Sequence, residues 1–340
     1  MTKRQRYCDT TICRLKFFAK RQTFLYIVPT YHLLKKGMHI LKEVKKFVES
    51  HKKPLIVVLG PTASGKTDLS LKIAHAINGE IISTDSRQLY KGLEIGSDII
   101  SEDKREGVPH HMLGISEPKN TITLAEYQDM AIEKIKEIFK RKHVPMLVGG
   151  TGLYISAITQ GYQLPRMEPD LKLRARLFKQ AEKYGNNYIY EKLKKLDPSA
   201  AKRIHPNNIV YVVRAIEINA IKKENKKDKK VNPKYDVFMV GIEWPREKLY
   251  ERIGLRVENQ LKRGLVNEVK NLLEKGYNEP LPAISSLGAK EIIPYINGKS
   301  SLEACVELLK KNTRNYAKRQ MTWFRRYKNI KWLKPEDLNK

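Results

Sequence analysis

Pro54-Leu-Ile-Val-Val-Leu-Gly60-Pro61-Thr62-Ala63-Ser64-Gly65-Lys66-Thr67 is the stretch that decides the fold. An unbroken apolar run, Leu55 to Leu59, ends in a glycine-rich turn of the pattern G-x-x-x-x-G-K-[ST], and an amphipathic stretch near Asp68 to Ile77 follows. Strand, loop and helix in that order read as a P-loop. Its glycines let successive backbone N–H groups turn inward on phosphate oxygens, Lys66 adds a point charge, and the Thr67 hydroxyl can ligate Mg²⁺ at the positive end of a helix.

Working outward, Glu80 to Thr84, Val144 to Val148 and Asp236 to Glu243 are further strand-like runs alternating with amphipathic helices. That alternation predicts the α/β class: a parallel sheet core like that of the P-loop nucleoside-triphosphate hydrolases. Between Pro165 and Asn232 the pattern is helical only and ends in the lysine-rich run Lys222 to Lys230, read as a solvated loop. The expected division is a basic extension over 1–53, a first core part over 54–165, a helical insertion over 166–232, and core completion with basic C-terminal helices over 233–340.

The 340 residues include 66 Lys plus Arg against 37 Asp plus Glu, a formal charge of +29, which suits a polyanionic partner. No apolar stretch approaches the roughly 20 residues of a membrane span, so a soluble protein without a membrane partner is expected. Cys8, Cys13 and Cys305 leave no disulfide framework and fit a reducing cytosol, and Cys8 and Cys13 lack the second ligand pair that zinc needs. Residues 1–53 carry 14 Lys or Arg and three acids. Residues 1–37 offer no periodic face to bury and are expected to be dispensable, a transit peptide being the competing reading, whereas the amphipathic stretch from Ile40 to Val48 leads into the first strand.

Asp85, in Asp85-Ser86-Arg87-Gln88-Leu89-Tyr90, follows the second strand and therefore opens on the same crevice as the P-loop. A nucleotide hydrolase would show four apolar residues ending in a metal-binding Asp, and neither Ile82-Ser-Thr-Asp85 nor Met146-Leu-Val-Gly-Gly150 does. The tandem His110-His111 has no acid or cysteine at ligand spacing and is read as structural or as a polar group beside substrate. In the C-terminal helix, Ser300 and Glu303 suggest a capping box. Leu302, Val306, Leu309, Thr313, Tyr316, Gln320, Trp323 and Tyr327 trace an expected core face, and Lys311, Arg314, Lys318 and Arg325 trace a basic one.

Gly60 to Thr67, Asp85 to Tyr90, Pro109-His-His111, Leu147-Val-Gly-Gly-Thr-Gly-Leu-Tyr154, Val213-Arg-Ala-Ile-Glu217 and Thr313 to Phe324 resemble, in order and spacing over about 54–330, the tRNA dimethylallyltransferases of the bacterial type, which lack a zinc-finger extension. The resemblance implies transfer of the dimethylallyl group of dimethylallyl diphosphate to N6 of the adenosine 3′-adjacent to the anticodon, in tRNAs reading codons that begin with U. It implies Asp85 as general base, Lys66, Thr151 and Arg256 in catalysis, Gly60 to Thr67 on diphosphate and Thr67 on Mg²⁺. Contacts with the tRNA anticodon stem-loop are implied for Asp85, Ser86, Arg87, Gln88, Thr151, Arg174, Arg214, Lys290, Arg314, Lys318, Arg319 and Gln320, in an enzyme taken to be cytoplasmic and monomeric. Three positions depart from the family: Gly114 where Asp is frequent, Tyr211 where Arg is usual, and Ala289 in place of a motif Tyr. The alternatives are an isopentenyltransferase acting on AMP or ATP, a P-loop nucleotide kinase, and an RNA-binding protein whose P-loop senses nucleotide.

Overall fold

The computed structural model describes residues 39–164, 170–222 and 234–337. Among the described residues, six strands form one sheet: β1 (Pro54–Leu59), β2 (Gly79–Ser83), β3 (His110–His111), β4 (Val144–Gly149), β5 (Asp236–Ile242) and β6 (Ile330–Leu333). Their order is β3-β2-β4-β1-β5-β6, and every neighbouring pair is parallel. Along β1, Leu55, Val57 and Leu59 pack on one face while Ile56 and Val58 pack on the other, because successive strand side chains alternate. Both faces are covered, so no polar residue interrupts the run.

Helices α1 (residues 39–50) and α2 (Lys66–Ile77) contribute Ile40, Val44, Leu69 and Ile73 to one layer. Helices α3 (Leu124–Lys140) and α4 (Gly152–Thr159) contribute Tyr127, Ile135, Ile155 and Ile158 to the other. The stretch assigned to the N-terminal extension thus supplies α1 to the core. Residues 1–37 and the charge run 223–230 lie outside the described residues.

The chain divides into two compact units, one of residues 161–232 and one of the remainder. In the smaller unit, α5 (Leu171–Tyr184), α6 (Asn186–Leu196), α7 (Pro198–Ala201) and α8 (Ile209–Lys222) enclose Leu177, Ile189, Leu193 and Val212. In the larger unit, β5 is followed by α9 (Arg246–Lys262), α10 (Leu265–Glu274), α11 (Ala289–Ile296) and α12 (Leu302–Phe324).

Three expectations are corrected here. The remainder after β5 is not helical throughout, because Ile330–Leu333 adds β6 beside β5. The cap of α12 is Ser301, whose hydroxyl accepts from the Ala304 amide, in place of Ser300. The buried stripe of α12 runs through Cys305, Leu309, Thr313, Ala317, Gln320 and Phe324, so Leu302, Val306, Tyr316, Trp323 and Tyr327 flank it half-buried.

The His110-His111 pair makes β3. His111, Arg141 and His143 converge on Glu80, which is 1% exposed, with His111 Nε2 2.6 Å and Arg141 2.7 Å from Oε2 and His143 Nδ1 2.7 Å from Oε1. Burial works to raise the Glu80 carboxyl, but these hydrogen bonds outweigh it and hold the group at about 2. His111 therefore serves the structure near the start of β2, at the end of the sheet away from the P-loop.

Candidate active site

The loop after β1 bends through Ala63, at φ 62°, and Gly65, at φ 90°. Its carbonyls are taken by side chains, two of them from distant parts of the chain: Arg252 Nε donates to Ala63 O at 2.7 Å and Trp244 Nε1 to Ser64 O at 2.9 Å, while the neighbouring Lys66 Nζ donates to Pro61 O at 2.8 Å. Gln320 Oε1 accepts from the Thr62 amide at 2.9 Å. Among the described residues, the amides of Gly65, Lys66 and Thr67 have no hydrogen-bond acceptor, and the fully buried Ser64 hydroxyl has no partner. With the carbonyls tied back, donors that begin α2 are left for an anion.

A cavity of roughly 900 Å³ opens on these donors and is lined also by Asp98, Arg252, Arg256 and Arg263. Burial, then repulsion from Arg256, lowers the Lys66 ammonium to about 8, while Asp85 and Asp98 oppose the shift. An entering anion would favour the charged form again. Thr67, exposed at the cavity wall, offers a hard oxygen donor of the kind a divalent cation takes.

A second cavity, of roughly 220 Å³, is lined by Thr62, Asp85, Ser86, Arg87, Lys290, Tyr316 and Arg319. Arg256 and Gln260 border both cavities. Asp85 sits just beyond β2, its Oδ1 accepting from the Arg87 amide at 2.9 Å and its own amide donating to Ser83 Oγ at 3.2 Å. Thr151 Oγ1 accepts from the Ser86 amide at 3.1 Å, and Thr151 also hydrogen-bonds Tyr316, whose phenol burial pushes up. The predicted residues Lys66, Thr67, Asp85, Ser86, Arg87, Arg256, Lys290 and Arg319 thus gather around two cavities that share Arg256 and Gln260 in their walls.

Other predicted contacts fall elsewhere. Gln320 is 5% exposed and spends its amide inside the protein, on the Thr62 amide and, through Nε2, on Gly150 O at 3.0 Å. The Gln88 side chain accepts from Ser83 Oγ and donates to Ser97 O. Arg174 and Arg214 belong to the helical unit, where both bind the buried Glu217. On α12, Lys318 is exposed, Arg314 lies over the Tyr250 ring at 5.8 Å, and Arg325 approaches Glu243 at 3.4 Å. Of the three departures, Gly114 takes φ 57°, Ala289 is buried at the start of α11, and Tyr211 is exposed on α8.

The sequence reading passed over Trp244, Arg252, Asp98 and Gln260. Arg252 stands four residues before Arg256, on the same side of α9, and that spacing could have marked it. Asp98 and Gln260 carry no local signal.

Residues 88–327 match the family model described as IPP transferase. A tRNA dimethylallyltransferase of Alkaliphilus oremlandii is 45% identical over 285 residues, covering 83% of this chain and 91% of that protein. One of Halothermothrix orenii is 46% identical over 284 residues, covering 82% and 87%. Among solved structures, the full-length tRNA isopentenylpyrophosphate transferase of Bacillus halodurans is similar with a TM-score of 0.63 and 40% identity, over 83% of this chain and 90% of that one. A eukaryotic dimethylallyltransferase acting on tRNA gives a TM-score of 0.72 at 28% identity, over 85% and 75%.

Proposed function

This chain belongs to the IPP transferase family of tRNA dimethylallyltransferases, and from that premise we propose that it transfers the dimethylallyl group of dimethylallyl diphosphate to N6 of the adenosine 3′-adjacent to the anticodon, in tRNAs reading codons that begin with U. The observation that carries this reading is the pair of cavities meeting at Arg256 and Gln260, one bordered by the P-loop and Lys66 and the other by Asp85. A donor with an anionic leaving group suits the first, and an acceptor that must lose a proton suits the second.

Diphosphate rests on the free amides of the P-loop, with Lys66 and Arg256 as counter-charges. As the allylic C–O bond breaks, negative charge grows on the leaving group, and these fixed donors stabilise it without reorganising. Mg²⁺ bound through Thr67 would supply further neutralisation of that charge. The exocyclic amine is a weak nucleophile whose N–H acidifies as N6 bonds to the cationic carbon. Asp85, oriented by the Arg87 amide, takes the proton. Positioned proton transfer of this kind contributes roughly 10² to 10⁴ in rate. The target base must leave its stack, and basic groups on α12 and around Arg87 and Lys290 offset that cost by holding the surrounding loop. The same basic surface favours tRNA over free AMP as acceptor.

Labelled dimethylallyl diphosphate offered with tRNA, AMP or ATP tests the reading. Label is expected on tRNA alone, and Asp85→Asn is expected to slow single-turnover transfer by at least about 10² with tRNA affinity kept. Label on AMP, or a normal rate in that variant, overturns the corresponding part.

A further inference from the structure

The cavity beside the P-loop is crowded with cations: Lys66, Lys104, Arg252, Arg256, Lys262 and Arg263 line it, against the acids Asp68 and Asp98. Of these two, Asp98 pairs with the cavity's own cations, its Oδ1 2.8 Å from Arg263 Nη1 and its Oδ2 3.3 Å from Arg256 Nη1. Arg256, together with Gln260, also borders both cavities.

Asp98 is held there by an elaborate frame. Its backbone adopts φ 55°, in the left-handed region that Asp tolerates better than most residues. The preceding turn is gripped from three sides. Glu268 accepts from the Ile95 amide at 2.6 Å and the Gly96 amide at 2.7 Å, and Gln260 Nε2 donates to Ile95 O at 2.9 Å and Gly96 O at 3.0 Å. Gln88 Nε2 donates to Ser97 O at 3.2 Å. The turn thus delivers a carboxylate to a fixed position among cations that the donor reading assigns to diphosphate.

Resting on that reading, we propose that Asp98 is a positioning residue that regulates diphosphate retention: by pairing with Arg256 it gives that guanidinium a second partner inside the donor cavity, so that Arg256 returns to Asp98 as product diphosphate leaves. An anion bound by so many cations and P-loop amides would otherwise stay after transfer. A fixed internal carboxylate weakens the complex by like-charge repulsion and by competing for Arg256.

The test uses the full chain, inorganic diphosphate with Mg²⁺ as probe, and the variants Asp98→Asn, Asp98→Gly and Lys66→Ala, with Asp98→Glu as the conservative control. Asn and Gly both accept the left-handed backbone, so loss of charge is separated from strain. Titration calorimetry is expected to give diphosphate binding about tenfold tighter in both Asp98→Asn and Asp98→Gly, since one unit charge at short range in a partly screened cavity is of that order. Steady-state turnover should fall while the single-turnover rate holds, melting temperatures stay at the wild-type value, and Asp98→Glu should bind as wild type does. Equal or weaker diphosphate binding in both neutral variants, with Lys66→Ala impaired as expected, overturns the role of Asp98 alone. Equal binding by wild type and Lys66→Ala overturns the donor-site reading and this inference with it.

Discussion

Replacing Gln320 by Met keeps the volume and removes two hydrogen bonds, one to the Thr62 amide at 2.9 Å and one to Gly150 O at 3.0 Å. Both partners stay where the fold holds them. Gly150 is buried, and a Cβ there would land on the Gln320 amide, so the loop after β4 cannot close over the vacated space without moving. An orphaned buried group costs about 1 to 3 kcal/mol, and the half-buried Thr62 amide stands near the lower end, so the sum is about 3 kcal/mol. For a unit of this size that corresponds to a fall in melting temperature of roughly 6 to 12 °C. Because the Thr62 amide begins the phosphate-facing turn, diphosphate binding should weaken several-fold as well. Binding of an anticodon stem-loop should keep the same slope of log K against log salt, since an uncharged buried amide neutralises no phosphate. Differential scanning calorimetry, diphosphate titration and stem-loop titration at several salt concentrations read the three effects. An unchanged melting temperature with weakened stem-loop binding would refute this reasoning and return Gln320 to the RNA surface.

Glu80 makes acid stability the next test. Its carboxyl goes from 4.5 to about 2 on folding, so its contribution is complete above about pH 4.5 and drains as pH falls toward 2. Urea titrations across that window should show a loss of stability about 3 kcal/mol smaller in Glu80→Gln, already without that contribution at pH 7, than in wild type, the remainder coming from other lowered carboxyls such as Asp197. Neutralising Lys318 and Arg319, which are exposed on α12, should lower the salt slope of stem-loop binding by roughly 0.7 to 0.9 for each phosphate no longer neutralised, and parallel lines would show that face to be merely solvated. In Gly152→Ala the new methyl would land on the Trp323 indole, which hydrogen-bonds Ser156 Oγ at 3.2 Å, so a destabilisation of about 1 to 3 kcal/mol is expected, read by thermal melting.

Much of the candidate site was legible in the sequence because the signals are local. A P-loop needs its glycines and lysine at fixed spacing between a strand and a helix, and Asp85 reaches the same crevice because parallel strands all end on one side of the sheet. β1 is a continuous apolar run because the sheet is buried on both of its faces. Other features left no local trace. A two-residue strand such as β3 and a four-residue one such as β6 are too short to display a period, so only their neighbours make them strands. The buried side of α12 turned toward Cys305 and Ala317, small residues that a reading by size and hydrophobicity passes over but that let the helix lie close to its neighbours. Spacing put Gln320 on the expected core face of α12, while the family resemblance implied a contact with RNA. No local signal announced what its amide binds: Thr62, 258 residues earlier in the chain, and Gly150. The pairing of Asp98 with Arg256 is of the same kind. The periodicity of side chains along one element is written into the sequence, whereas hydrogen bonds and ion pairs between distant elements exist only once packing has brought their partners within about 3 Å and removed the water that would otherwise satisfy them.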